Sequence, residues 1–228
     1  MSHLGNWCLP DRCALCRARS AQGYCARCAG LLPWIEISCE KCGKPAAAPG
    51  LCRQCRRRDH AIDCGLISFR YEAPISDHIK MLKYAGQLHL AGALGKSLAL
   101  RFLKSGLPTP QALVPVPLHP RRQKQRGFNQ STEIAQVLSH MLRIPLADRA
   151  LVRRVNTVSQ AGLDEAMRKT NVRGCFAAGK TVCRGHLALV DDVVTSGSTL
   201  REAAAALRQA GAAAVSAWAV SATWPGCP

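Results

Sequence analysis

Acidic residues are scarce in this chain. Its 228 residues hold fourteen Asp and Glu against thirty-one Lys and Arg, a formal net charge of +17. That imbalance favours anionic partners, whether phosphates, nucleic acid or an acidic protein, although a soluble basic protein of biased composition fits the same number. Aromatic residues are also few, at 5%. Trp7, Tyr24 and Trp34 could stack on bases, but a region this poor in apolar residues needs them for packing. Long apolar runs are missing: none reaches the roughly 18 residues of a membrane-spanning helix, and Lys96 and Arg101 interrupt the best candidate. Residues 1–10 lack both the charged and the apolar segment of an export leader, so the expected location is cytoplasmic.

Residues 1–60 have too little apolar content to fold on burial alone. What they have is cysteine. The chain holds thirteen, and in a cytoplasmic setting that number points to metal rather than disulfides. Eight form four C-x-x-C knuckles: Cys13/Cys16, Cys25/Cys28, Cys39/Cys42 and Cys52/Cys55. Two knuckles complete a tetrahedral four-thiolate zinc site. Sequential pairing gives Cys13, Cys16, Cys25 and Cys28 for one ion and Cys39, Cys42, Cys52 and Cys55 for the other; crossed pairing satisfies the same spacing. Gly23 and Gly43 stand beside knuckles, where tight turns are needed. Full thiolate coordination leaves no open position, so both zinc ions are expected to be structural and to supply this segment's folding energy. A redox role for C-x-x-C needs a thioredoxin-like βαβ context, which is absent. Cys8, Cys64, Cys175, Cys183 and Cys227 fall outside the pattern. The run Arg53, Arg56, Arg57, Arg58 closes the module, as a linker or as a nucleic-acid contact.

From about residue 62 the texture becomes α/β, and two domains are expected: a double zinc ribbon over residues 1–62 and an α/β domain over 63–228. Residues 65–71 alternate like a strand, residues 75–83 read as an amphipathic helix, and residues 88–104 as a second helix. Residues 112–117 form a buried strand ending in prolines. A cationic loop with Arg121, Arg122, Lys124 and Arg126 follows, and then a helix over 132–142 with Asn129 or Ser131 as its cap. Residues 151–176 place Arg153, Arg154, Arg168, Lys169 and Arg173 around a polar middle with Thr157, Ser159, Gln160 and Gly162, the composition of a lid.

The most informative stretch is residues 187–200, LALVDDVVTSGSTL. Leu187, Ala188, Leu189 and Val190 suit a doubly buried parallel strand. Asp191 and Asp192 follow where that strand is expected to end. Thr195, Ser196, Gly197, Ser198 and Thr199 make a hydroxyl-rich turn into a helix over 200–209, with Gly211 at its stop. Backbone N–H groups of such a loop and helix start can ring a phosphate. The two carboxylates would repel phosphate and instead accept hydrogen bonds from sugar hydroxyls. Together these features describe a site for a phosphorylated sugar; an ordinary capped strand–turn–helix is the plainer alternative.

VDDVVTSGST resembles the signature of the type I phosphoribosyltransferases. RGFNQ at 126–130, T-x-S-Q-x-x-L at 157–163, R-x-x-N-V at 168–172 and the four knuckles narrow the resemblance to the ComF competence family, over nearly the whole chain. Gln87 departs from the pattern, since relatives commonly carry a charged residue there. The resemblance implies a type I phosphoribosyltransferase fold, a parallel sheet flanked by helices with a small hood, behind an N-terminal double zinc ribbon. It implies binding of phosphoribosyl pyrophosphate with magnesium. Val190, Asp191, Asp192 and residues 195–199 would hold the sugar phosphate, with Asp191 and Asp192 as catalytic residues. His119, Arg126, Arg153, Gln160 and Arg168 become candidates for the pyrophosphate or the lid. The implied biology is DNA uptake in natural transformation, or in some relatives gluconate utilisation, with single-stranded DNA or competence-machinery proteins as partners. Three functions stay open: a transferase with an unidentified acceptor, a nucleotide-sensing or DNA-binding module without turnover, and an adaptor built on the ribbon.

Overall fold

The computed structural model describes residues 12–57, 61–154, 174–179 and 184–223. Two short helices, α1 (Ala26–Ala29) and α2 (Arg53–Arg57), lie in the cysteine-rich segment. Then follow β1 (Cys64–Arg70), α3 (Ile75–Ala85), α4 (His89–Leu103), β2 (Ala112–Pro115), α5 (Pro120–Arg126), α6 (Gln130–Leu142), β3 (Leu151–Arg153), β4 (Phe176–Ala178), β5 (His186–Val194), α7 (Ser198–Gln209) and β6 (Ala214–Ala222). Strands β1, β6, β5 and β2 form a parallel sheet in that order. Strands β3 and β4 pair antiparallel in a separate two-stranded sheet. Residues 151–176 therefore do not run between two strands of the main sheet. Their polar middle, with Gln160 and Arg168, lies outside the described residues.

The period-2 pattern of the strands sorts their side chains onto two faces. In β5, Leu187 and Leu189 join a cluster with Leu200, Ala203 and Leu207 of α7. Ala188 and Val190 join the opposite cluster, with Leu82 of α3, Leu94 and Leu98 of α4, and Ile134 and Leu138 of α6. Covered on both faces, β5 can be a near-continuous apolar run, and its position between β6 and β2 puts its carboxyl end at the middle of the sheet. The predicted helices appear within a few residues of their expected bounds. The largest difference is the cationic loop: residues 120–126 are helical, because Pro120 sits at the first helical turn, His119 Nδ1 accepts from the Arg121 N–H at 3.2 Å, and Gly127 closes the helix in the left-handed region (φ 82°). Asn129 caps α6 by accepting from the Ser131 N–H at 3.2 Å, which starts that helix at Gln130.

The cysteine-rich segment compensates for its sparse apolar content by sharing the core of the α/β part. Cys13, Tyr24, Cys28 and Leu32 belong to the same buried cluster as α3, α4 and α6. Residues 33–35 lie along the free edge of β1: the Arg70 N–H donates to the Pro33 carbonyl (2.8 Å), and the Ile35 N–H to the Ser68 carbonyl (3.0 Å). Trp34 packs on Phe69 with ring centroids 4.3 Å apart. The Tyr24 hydroxyl reaches His78 Nδ1 at 2.8 Å, Lys96 donates to the Ala21 carbonyl at 2.8 Å, and Arg101 to the Ile35 carbonyl at 2.6 Å. At Gly65 a Cβ would lie 2.3 Å from the Cys42 carbonyl carbon and 2.4 Å from the Gly43 nitrogen. Gly65→Ala is therefore expected to push the second ribbon's first knuckle off β1 at a cost of about 1–3 kcal/mol, read as a fall in Tm of several degrees.

Candidate functional site

Strand β5 does not stop before the acidic pair. Nine-residue β6 keeps pairing past it, Asp191 with Ala219, Val193 with Ser221 and Val194 with Ala222, so both aspartates sit within the final stretch of the ladder. Each carboxylate is fixed locally: the Asp192 N–H donates to Asp191 Oδ1 at 2.9 Å, and the Val193 N–H to Asp192 Oδ1 at 3.0 Å. Ser131, at the start of α6, donates its hydroxyl to Asp191 Oδ1 at 3.1 Å. Lys83, in the last turn of α3, forms an ion pair with Asp192 Oδ2.

The chain then turns through residues 195–197. Gly197 takes a left-handed conformation (φ 75°, ψ 6°) and caps α7, a backbone angle that other residues adopt only under strain. The Ser196 and Ser198 hydroxyls are 2.9 Å apart, and Arg201 donates to the Ser196 carbonyl at 3.1 Å, which hold the turn open toward the sheet's carboxyl edge. Thr195, Ser196, Gly197 and Thr199 face an open cleft of about 1320 Å³ that also contains Asp191 and Asp192. Val190 is fully buried in the core, and Ser198 is turned inward and buried; neither lines the cleft.

Cations rim the cleft. Arg122 and Arg126 of α5 and Arg153 of β3 line it, and the Arg126 guanidinium lies 5.4 Å from the centroid of the Tyr84 ring. His119 is spent as the cap of α5 and does not line the cleft. A hydroxyl-rich turn, two carboxylates and a guanidinium wall thus stand along one cleft at the carboxyl ends of the strands, where open α/β sheets place ligands. The arrangement suits a molecule with phosphate at its ends and hydroxyls in the middle.

Burial raises the Asp191 carboxyl, the neighbouring Asp192 charge raises it further, and Lys83 only partly offsets them, leaving its pKa at about 7. Lys83 itself is buried, but Asp192 and then Asp191 more than compensate and hold it charged. A carboxyl raised in the folded state binds protons there that the unfolded chain has already released, so its cost to stability is absent at low pH and grows as pH rises toward and past 7. Asp191→Asn is therefore expected to melt higher than the wild type at pH 8, by at least about 2–4 °C. The gap should shrink on going to pH 5; thermal melts at the two pH values test this, and an unchanged gap would overturn the assignment.

The cysteines form two groups of four, and the pairing is sequential. Cys13, Cys16, Cys25 and Cys28 gather in one and Cys39, Cys42, Cys52 and Cys55 in the other, with Sγ atoms in each group within 4.8 Å of one another. Four convergent thiols at this spacing fit a tetrahedral zinc shell with no open position. Burial pushes Cys42 up to about 12, with the Lys44 backbone donor opposing it and the charges of Cys39 and Cys52 adding to it, whereas at Cys39 burial is outweighed by backbone donors at Cys52, Cys42 and Lys41 that bring it down to about 7.

Several cleft residues carry little signal in the sequence. Ser131 reads there only as a cap. Lys83 and Tyr84 read as the end of a helix, and the available signal is Lys83, a cation directly after the buried Leu82. Lys44 and Gln54 belong to the cysteine-rich segment and line the cleft; nothing in their spacing announces it.

Fold and site together define a double-ribbon protein whose α/β part carries an open cleft lined by arginines and two aspartates. The double zinc ribbon domain family matches residues 4–56. The chain is 35% identical over 223 residues to "DNA utilization protein YhgH" of Escherichia coli K12, covering 94% of this chain and 98% of that protein. It is 31% identical over 221 residues to "Competence protein F" of Haemophilus influenzae, with 92% and 96% covered. Among solved structures it resembles two phosphoribosyltransferases, each with a TM-score of 0.37. One is the glutamine phosphoribosylpyrophosphate amidotransferase of B. subtilis (25% identity; 55% of this chain, 25% of that one). The other is the orotate phosphoribosyltransferase of Aeropyrum pernix (18%; 61% and 63%). The chain belongs to the ComF family of competence and DNA-utilization proteins. No helix among the described residues is long and apolar enough to cross a membrane.

Proposed function

We propose that the cleft binds phosphoribosyl pyrophosphate with magnesium and that the protein is a phosphoribosyltransferase-like member of its family serving DNA uptake in the cytoplasm. The observation that carries this reading is the adjacency of Asp191 and Asp192 to the turn at 195–199, within one cation-rimmed cleft. The turn and the start of α7 anchor the 5′-phosphate through backbone N–H groups. Asp191 and Asp192 take the ribose hydroxyls and favour positive charge on the ring as the bond to the leaving group lengthens. Arg122, Arg126 and Arg153 face the pyrophosphate. The residues suit magnesium, which is commonly held by one or two carboxylates together with substrate phosphates: Lys83 neutralises Asp192, so Asp191 is the carboxylate left to face the ion or its waters. When bound, magnesium supplies charge that stabilises the departing pyrophosphate. The two four-cysteine groups hold zinc. Calorimetric titration of phosphoribosyl pyrophosphate with magnesium tests the reading, and absence of binding to zinc-replete protein would overturn it.

A second reading takes the same fold as a nucleotide-sensing or single-stranded DNA-binding module without turnover, possessing the site but no acceptor. It is favoured by the net charge of +17 and by the exposed Arg53, Arg56 and Arg57 of α2. A steep fall in single-strand affinity with rising salt, without release of pyrophosphate from the donor, would support it.

A further inference from the structure

The second four-cysteine group does not stand apart from the cleft. Its first knuckle closes through two backbone bonds: the Gly43 N–H donates to the Cys39 carbonyl at 2.8 Å, and the Cys39 N–H to the Lys44 carbonyl at 2.8 Å. Lys44 is therefore part of the turn that presents Cys39 and Cys42. The turn is seated backbone to backbone on β1: a Cβ at Gly43 would lie 2.7 Å from the Gly65 carbonyl carbon and 2.9 Å from the Leu66 nitrogen. Gly43 also holds a left-handed angle (φ 69°). From this fixed base the Lys44 side chain crosses to the sugar-phosphate turn, and its Nζ donates to the Thr195 carbonyl, 151 residues away in sequence. Gln54 lies between the ligands Cys52 and Cys55, and it lines the cleft together with Lys44.

We propose that the second zinc ribbon is a working wall of the cleft: the metal-organised knuckle delivers the Lys44 ammonium to the phosphate turn, so that zinc at Cys39, Cys42, Cys52 and Cys55 and a phosphate-bearing ligand stabilise each other's binding. An ammonium has three donors, so Lys44 can keep its bond to Thr195 and still meet a phosphate oxygen at the same turn. A lysine acts on phosphate as a point charge, and here its position is set by the ribbon. A ribbon of this kind depends on metal for its structure, and loss of metal removes the base on which Lys44 stands. Coupling between two binding events is reciprocal, so ligand in the cleft must equally slow loss of the ion. The inference rests on the reading of the cleft as a phosphosugar site.

Two probes separate the two ideas: ribose 5-phosphate, which reports the turn at 195–199, and pyrophosphate, which reports the guanidinium wall. Lys44→Ala, with both zinc equivalents verified by metal analysis, should weaken ribose 5-phosphate about 10- to 100-fold, the range for one lost bond to a charged group. Pyrophosphate affinity should stay unchanged, and Lys44→Arg should restore most of the loss. Ribose 5-phosphate should also slow chelator-driven release of one zinc equivalent from the wild type and leave the release rate of Lys44→Ala unaltered. Equal ribose 5-phosphate affinity in wild type and Lys44→Ala, or zinc release indifferent to ligand, overturns this inference and leaves the cleft reading standing. Failure of the wild type to bind either probe overturns the cleft reading, and this inference with it.

Discussion

Replacing Asp191 and Asp192 together by asparagine is expected to lower affinity for phosphoribosyl pyrophosphate with magnesium by at least about 100-fold. On the proposed reading each carboxylate would offer charge-assisted acceptors to ribose hydroxyls or to water held by the metal, and such bonds contribute about 1.5–3 kcal/mol apiece. Two lost together compound to about 100- to 10,000-fold, a loss that calorimetric titration resolves. The structure changes how the experiment must be built, because the two aspartates do not cost the fold alike. Burial and the Asp192 charge raise Asp191 to about 7, so its charge is unfavourable above that pH and its replacement is expected to stabilise there. Asp192 neutralises Lys83, and in the double variant, which lacks Asp191 as well, its largely buried ammonium stands uncompensated. Removing one partner of a buried pair costs about 3–5 kcal/mol; with the Lys83 side chain 21% exposed, the expected cost here is nearer about 2 kcal/mol. Adding Lys83→Met to the double variant removes the orphaned charge. A folded triple variant that binds the donor as tightly as the wild type would sink the assignment of the carboxylates.

Stripping the metal is expected to have a still larger effect on stability and to reach well beyond the ribbon. Structural zinc sites supply about 10–16 kcal/mol of apparent binding energy, comparable to the whole stability of an ordinary domain at about 5–15 kcal/mol. The ribbon's Tyr24 and Leu32 sit in one cluster with Leu82, Leu94 and Trp218 of the α/β part, and Trp34 covers Phe69 at the sheet edge. Treatment with a strong chelator should therefore lower Tm by more than about 10 °C and disturb both Trp34 and the fully buried Trp218. Near-ultraviolet circular dichroism and calorimetry read both at once. Loss of ribbon signal with an unchanged main transition would show the two parts to be independent and overturn the shared core.

The expectation about the sheet's centre holds because it rests on local chemistry. Four apolar residues, two aspartates and a small hydroxyl-rich turn carry strand and helix start within residues 187–200, and the chain needs no distant partner to declare them. The four knuckles are legible for the same reason. Their pairing is not, since spacing allows sequential and crossed pairing alike; only the folded geometry brings Cys13 to Cys28 and Cys39 to Cys55 as two groups. Strand β5 runs further than its apolar residues suggest, because pairing with β6, a partner that lies beyond α7, extends the ladder through the aspartates. The cationic stretch after β2 reads as a loop because its charge masks a Pro-initiated helical turn capped by His119.

The double-ribbon cysteine framework, the parallel α/β core and the acidic pair beside a hydroxyl-rich turn are all written in local sequence. Each is a property of neighbouring residues, set by spacing, burial period and the turn chemistry of glycine. Which charges meet is settled only by tertiary packing. Lys83 against Asp192, Ser131 against Asp191, and Lys44 against the Thr195 carbonyl are separated by 109, 60 and 151 positions. A side chain's partner across a cleft depends on how whole elements pack. No local pattern encodes that a lysine two residues beyond Cys42 will arrive at the Thr195 carbonyl.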